Sequence, residues 1–543
     1  LARNEERLCH AVQVKCSHTL IFAGLIVVVS VLVGCWLRAI CAPEWLQPDS
    51  SQYPGVLHPW AVEADCYSQL ARVQRILHGQ GLIQNHFTVE NWPEGLTPST
   101  TAPFDYVILL LAAPLALITQ YPLDWAGALV SPLLWLGLVG FWMLFRSREF
   151  TLTGRVLLVA GSALLPQLIW ATAFGRPRHQ SLIFLLIAMA LTAEYERWSP
   201  NSSAKRTWNI FAGAIWGMAC WTSLFEPALV VTLLVLFNLI TRRRESFDFL
   251  VSFGVVMLIA LLLEGVHVFV PPPEYHEALV HWWGTIAEVQ GIGLIGFVQQ
   301  LTLLSFPFLV AFLAWRLLAR AGDRRSDLFL ILLTVLLGLL TAFQKRWMYY
   351  ASLSELMLIV RYCQVAPTRW TRLVVMAIFL LSVAYDNTVQ IQAHAGAAPN
   401  QPSPQLAQLA RSIDQPGGIM APWWLSPGLL YFSGQPIVTG SSHCGISGIV
   451  AGAKFYTSTS WVEADRILQD RQVHWVVVYD DPGFEYPLLN TARGILGLPF
   501  YTEESKGEAD ATVTQILLTD RFVPTSFHLR AVTSQFKLYE YVP

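Results

Sequence analysis

Apolar runs long enough to cross roughly 30 Å of hydrocarbon recur along this chain, and that recurrence limits its folds more than any motif does. They fall at residues 19–37, 126–145, 152–174, 180–196, 208–221, 224–240, 249–270, 297–318, 328–343, 348–363 and 373–384. The composition agrees: 54% of the 543 residues are hydrophobic and 13% are charged, where a soluble domain carries roughly 25% charge. Lys and Arg total 35 against 37 acidic residues, so no basic footprint argues for nucleic acid. Partners are expected in or beside a bilayer. Arg3, Arg7 and Lys15 before the first run imitate a signal peptide. That run lacks a clean small-residue cleavage site and reads as a retained span.

Short basic loops stay cytoplasmic, which sets the sidedness. The additional run 103–119 fits this rule only as a surface-lying or re-entrant helix. The loops holding Arg146 and Arg148, Arg197 with Lys205 and Arg206, Arg242 to Arg244, Arg320 with Arg324 and Arg325, and Arg369 with Arg372 then all fall inside. The N-terminus is cytoplasmic by the same parity. Segment 38–124, the turn 175–179, the loop 271–291 and the tail after about 385 share the outer face. The expected architecture is a polytopic α-helical membrane protein, with residues 1–390 in the membrane part. Residues 391–543, where Pro and Gly turns give way to short strand-like runs such as 473–479, form a soluble extracytoplasmic α/β domain. Eight cysteines show no CxxC or zinc spacing. Cys41 and Cys66 share the first outer loop and either pair or stay as separate thiols.

Within the outer segments a few residues stand out. Asp65, in Glu63-Ala64-Asp65-Cys66-Tyr67, precedes a stretch whose Tyr67, Leu70, Val73 and Leu77 follow helical spacing. It is either a helix N-cap or a carboxylate held at the membrane surface for a cation or a proton. Asp105, Glu226 and Glu264 lie inside or at the ends of apolar runs, where an acid is expensive unless paired or facing a polar cavity. Arg176 and Arg178 run against the inside bias. They contact lipid headgroups or hold an anionic group through paired N–H donors. Lys345 and Arg346 anchor a span end or neutralise a departing phosphate. Trp423 and Trp424, beside Pro and Gly turns, suggest a docking face, and core packing is the alternative.

Taken in order, these pieces resemble the catalytic subunit of oligosaccharyltransferases, glycosyltransferases of the GT-C type. Asp65-Cys66-Tyr67 with Leu70 and Arg72 resembles the family's first acidic motif, and Asn91 to Tyr106 the rest of that loop. Gly175 to Gln180 sits where the second acidic motif lies, with Arg178 in place of its Asp. Thr285-Ile286-Ala287-Glu288 is similar to the TIxE motif, Arg346 to an arginine contacting the carrier phosphate, and Trp423-Trp424 to the start of WWDYG, with Leu425 at the Asp.

The resemblance implies a GT-C fold of about eleven to thirteen transmembrane helices in an inner cell membrane. It further implies transfer of a sugar or oligosaccharide from a polyprenyl-phosphate-linked donor to a protein or glycan acceptor on the outer face. Asp65 and Glu288 would be the catalytic acids, and Asp65, His179 and Glu288 would hold a divalent cation, Mg or Mn. Arg346, Arg176 and Arg178 would bind the donor phosphate, and Trp423 and Trp424 the acceptor. Asp105 and Glu226 are further site candidates. Two departures carry physical weight. Arg178 leaves the cation set one carboxylate short, and Leu425 cannot accept a hydrogen bond from a sequon hydroxyl. A non-catalytic homologue acting as an assembly or binding subunit of an envelope complex is the alternative. A transporter ranks last, because the acids gather in outer loops rather than at the bilayer midplane.

Overall fold

The computed structural model describes residues 2–48, 57–98, 102–145, 149–198, 204–241, 245–265, 270–286, 289–293, 309–315, 325–366, 368–396, 402–480, 486–502 and 511–543. All the expected apolar runs except 297–318, which lies largely outside these residues, fall on helices: α1 (Ala2–Ile40), α4 (Pro122–Leu144), α5 (Leu152–Leu164), α6 (Pro166–Ala171), α7 (His179–Trp198), α8 (Lys205–Thr222), α9 (Phe225–Ile240), α10 (Phe247–Glu264), α12 (Arg325–Phe343), α13 (Met348–Val365) and α14 (Arg369–Gly396). The shorter α2 (Tyr67–Leu77), α3 (Pro103–Leu115) and α11 (His276–Thr285) stand between them.

Among the described residues, five segments are long and apolar enough to cross a membrane: Leu20–Ile40, Pro122–Leu144, Phe247–Glu264, Arg325–Phe343 and Arg369–Gln392. Local chemistry sets the boundaries. The side chains of Thr151 and Ser246 accept the N–H groups of Gly154 and Phe249, capping α5 and α10. Pro166 holds Leu165 extended and splits α5 from α6. At 13 residues, α3 is roughly 20 Å long, too short to cross 30 Å of hydrocarbon alone.

The helices pack through small residues. Gly213 and Gly217, four apart on α8, lie against α10, and a Cβ at Gly213 would stand 2.3 Å from the Phe249 carbonyl oxygen. This close approach is the small-residue contact by which helices associate in lipid. The opposite faces of α10 and α14 leave Leu250, Leu262 and Leu381 exposed, as suits side chains solvated by acyl chains.

In the first loop β1 (Leu46–Pro48) and β2 (Leu57–Pro59) pair antiparallel, and the C-terminal region carries a four-stranded sheet in the order β3 (Gly418–Met420), β4 (Val473–Tyr479), β6 (Phe536–Tyr541), β5 (Phe527–Val532). The first pair is parallel and the rest antiparallel. The helix 461–470 between β3 and β4 and the helix 446–457 flank it.

This sheet is stitched to the first long loop. The Ile437 N–H donates to the Val89 carbonyl at 2.8 Å, the Trp92 N–H to the Ile437 carbonyl at 3.1 Å, and the Val438 N–H to the Ile419 carbonyl at 2.9 Å. The helix 426–433 packs on α2 and on the turn before it, and the Tyr431 hydroxyl donates to Asp124 at 2.9 Å. The first loop, the turn before α7, α11 and the C-terminal region therefore gather at one end of the helical bundle.

Candidate functional site

Apolar spacing buries Tyr67, Leu70 and Val73 on one face of α2, and this fixes the direction in which the turn Ala64–Cys66 enters the helix. No side chain caps that turn or α2. Asp65 is therefore not an N-cap; its carboxylate Oδ2 accepts Arg178 Nη2 at 2.7 Å. The same nitrogen stands 2.5 Å from Oε2 of Glu63, and Arg176 Nη2 lies 3.1 Å from Oε1 of Glu63. Two acids and two guanidinium groups thus form one tight, charge-matched cluster.

The turn that delivers the arginines is built for the purpose. Gly175 adopts φ +69°, where a Cβ would stand 2.7 Å from the Trp60 carbonyl, so only glycine fits without strain. The Gly175 N–H donates to Ala128 at 3.0 Å and its carbonyl accepts the Val62 N–H at 2.8 Å, tying the turn to the strand of chain that leads to Glu63. Arg176 also donates to the Trp170 carbonyl at 2.9 Å and lies 4.2 Å over the Trp170 ring. Burial pushes the Glu63 carboxyl up, but Arg176 and Arg178 outweigh it and hold the group below the usual range. Glu63 was passed over in the sequence; its signal was its place two residues before Asp65 in a loop facing two outer arginines.

His179 follows at the head of α7, ahead of the apolar run. Burial, and then the charges of Arg72, Arg346 and Arg178, push its imidazole down to about 3, so the ring is neutral. His443, in the turn His443–Gly445 of the C-terminal region, is lowered by burial and then by Arg346. Arg346 therefore faces both imidazoles within electrostatic reach. It sits in the turn Lys345–Trp347, with Nε 3.9 Å from Glu226 Oε1 and its guanidinium 5.4 Å from the Phe225 ring. Glu226 also accepts the Ser223 hydroxyl at 3.0 Å. The Lys345 N–H donates to the Gln290 carbonyl at 3.0 Å, which brings the third loop against this turn. Glu288 lies outside the described residues.

The other candidates have partners of their own. Asp105 is buried against Arg72, with Nε to Oδ2 at 3.0 Å and Nη2 to Oδ1 at 3.1 Å. Glu264 accepts the Ala102 N–H at 3.1 Å and the Trp221 indole at 2.8 Å. Trp423 meets Trp282 of α11 edge to face at 5.4 Å and Trp424 at 5.6 Å, and Trp424 meets Tyr479 at 6.2 Å. Both tryptophans are half-buried against the C-terminal core, so they pack as well as present an edge. The helix that follows them packs on the Ala64–Cys66 turn and on α2. Leu425 is inside the core. Cys41 and Cys66 are free thiols, and burial pushes that of Cys66 up to about 12.

Among the described residues, the ligand atoms that converge within 4.8 Å of one another belong to Glu63, Asp65 and Cys66; His179 is not in that set. The donor chemistry fits a divalent cation poorly. A protonated thiol offers a hard cation little, and both carboxylates are already engaged by guanidinium groups.

No family model matches the sequence, and a search among curated proteins returns no match. Solved structures do match. The archaeal oligosaccharyltransferase AglB from Archaeoglobus fulgidus, in complex with an inhibitory peptide and a dolichol-phosphate, superposes with a TM-score of 0.57 at 14% identity, over 84% of this chain and 69% of that one. An Archaeoglobus fulgidus oligosaccharyltransferase in complex with Zn and sulfate gives 0.58 at 14% identity, over 83% and 67%. ArnT from Cupriavidus metallidurans bound to undecaprenyl phosphate gives 0.54 at 13% identity, over 96% of this chain and 98% of that one. These are GT-C glycosyltransferases, and the chain has their fold.

Proposed function

We propose that this chain is a membrane glycosyltransferase of the oligosaccharyltransferase-like kind. It would move a sugar or oligosaccharide from a polyprenyl-phosphate-linked donor to a protein or glycan acceptor on the extracytoplasmic face of a cell membrane. Residues 1–390 form its membrane part, with 38–124 as the first outer loop, and residues 391–543 its outer domain. The observation that carries the reading is the meeting of the Asp65 turn with Arg176 and Arg178, at the same end of a GT-C fold as Arg346. Neighbours in that fold are crystallised with dolichol-phosphate and undecaprenyl phosphate, which supports a lipid-phosphate donor here.

In the reaction the acceptor bonds to the anomeric carbon as the bond from that carbon to the phosphate oxygen breaks. Negative charge then grows on the phosphate, and a preorganised cation nearby lowers the barrier. Arg346 takes that role, because its pairing with Glu226 is loose at 3.9 Å, whereas Arg176 and Arg178 hold Glu63 and Asp65 at 3.1 and 2.7 Å. Asp65 and Glu288 orient the acceptor, and Trp423 and Trp424 line its approach. Mg or Mn enters this reading as a partner of Glu63 and Asp65 only if Arg178 withdraws.

The test uses purified full-length protein in detergent with a labelled polyprenyl-phosphate-linked sugar. Transfer or donor hydrolysis is expected, lowered at least about tenfold in Asp65→Ala and in Arg346→Ala, the effect of losing roughly 1.4 kcal/mol of transition-state stabilisation. One observation favours the alternative of a non-catalytic assembly subunit: Glu63 and Asp65 are both tied in ion pairs. Inactivity of the wild type across a panel of lipid-linked donors would move the assignment there.

A further inference from the structure

We infer that Arg178 is a built-in substitute for a metal ion: its guanidinium occupies the position between Glu63 and Asp65 that a divalent cation would take, so the site of this chain is metal-independent. The argument starts from a single atom. Nη2 of Arg178 contacts Oε2 of Glu63 at 2.5 Å and Oδ2 of Asp65 at 2.7 Å, bridging two carboxylates as a bound cation does. Those oxygens belong to the group of ligand atoms that would otherwise surround an ion.

Charge points the same way. Glu63 and Asp65 contribute two negative charges, and Arg176 and Arg178 two positive ones, so these four groups balance one another. A divalent ion would add two positive charges beside two guanidinium groups, and arginine cannot shed its proton to relieve them. The backbone of Arg178 is fixed, since its main-chain N–H donates to the Arg176 carbonyl at 2.8 Å and its carbonyl accepts the Ser181 hydroxyl at 2.8 Å; its guanidinium is held by the two carboxylates themselves. Arg176, the neighbour on the other side of Glu63, is 3% exposed at its side chain.

A planar donor differs from a metal in what it permits. It supplies fixed hydrogen bonds that orient Asp65, but it leaves no open coordination position for a substrate oxygen. Asp65 in this chain is then an orienting carboxylate.

The inference concerns the site of the proposed reaction but is read by cation binding, so it stands or falls separately from transfer activity. Mn binding to the full-length protein is measured by electron paramagnetic resonance and titration calorimetry. Wild type is expected to show no saturable site, while Arg178→Asp and Arg178→Ala gain one per chain that Asp65→Asn removes again. Saturable Mn binding by wild type that is lost in Asp65→Asn would overturn the inference, and that arm decides even if an Arg178 variant fails to fold. Equally, a folded Arg178→Asp protein that takes up no Mn would overturn it, because the carboxylates would then not form a cation position at all.

Discussion

Leu425 is 2% exposed and packs in the core that holds Tyr67 and Leu429. A carboxylate placed there would lose water without gaining a partner. Leu425→Asp is therefore expected to destabilise the protein by about 3–5 kcal/mol, read as a fall in the thermal midpoint in detergent, rather than to confer binding of a sequon peptide. Glu90 behaves differently because its burial is relieved by protonation. It accepts the Ser442 N–H at 3.3 Å, and burial, partly offset by that bond and by Arg72, pushes its carboxyl from 4.5 up to about 7. The folded state then holds a proton that the unfolded chain gives up. Its contribution is whole below pH of about 4.5 and is lost as pH rises through about 7. Glu90→Gln should flatten that decline in the profile of thermal midpoint against pH, and a wild-type profile already level between pH 5 and 8 would contradict the assignment. At this scale the sequence exposed Asp65, Arg178 and Leu425 as chemically pointed. It did not say that Asp105 pairs with Arg72, since partners 33 residues apart are joined only by the fold.

One short element sets the geometry of the site, and it depends on a glycine. The turn at Gly175 brings Arg176 and Arg178 to the first loop. Gly175→Ala would force a Cβ toward Trp45 and the Trp60 carbonyl at a positive φ, and should cost about 1–3 kcal/mol. Because the turn carries both arginines, transfer is expected to fall further than the thermal midpoint alone would account for. In the membrane part, Gly213→Leu should push α8 off α10 and destabilise the protein by about 1–3 kcal/mol, read as a lower thermal midpoint, with the same substitution at exposed Gly137 of α4, where nothing lies within 4 Å of a Cβ, as the control. Helix existence was readable from apolar runs because lipid demands it. The split at Leu165–Pro166 and the shortness of α3 needed the coordinates, since hydropathy alone continues through both.

At the scale of the whole molecule, the question is how the C-terminal region meets the membrane part. Asn91, at φ +59°, accepts the Gly448 N–H at 2.8 Å and the Ser447 hydroxyl at 2.9 Å, and donates to the Gly95 carbonyl at 3.0 Å and Glu94 at 3.1 Å. Asn91→Ala empties this clasp, and limited proteolysis of the variant should release C-terminal fragments several times faster than from wild type; equal rates would assign the docking to the apolar contacts instead. Sidedness is open to a direct check, because Val462 is 81% exposed. A cysteine there should react with a membrane-impermeant maleimide added outside intact cells, and labelling only after lysis would reverse the proposed topology. The amino-acid sequence by itself determined that this chain lives in a bilayer and where its helices run, because apolar length and the placement of arginines answer to solvent alone. Only the tertiary structure decided that Glu63, Asp65, Arg176 and Arg178 neutralise one another. Ion pairing falls off over a few ångströms, and those distances exist only once loops 113 residues apart have been folded onto each other.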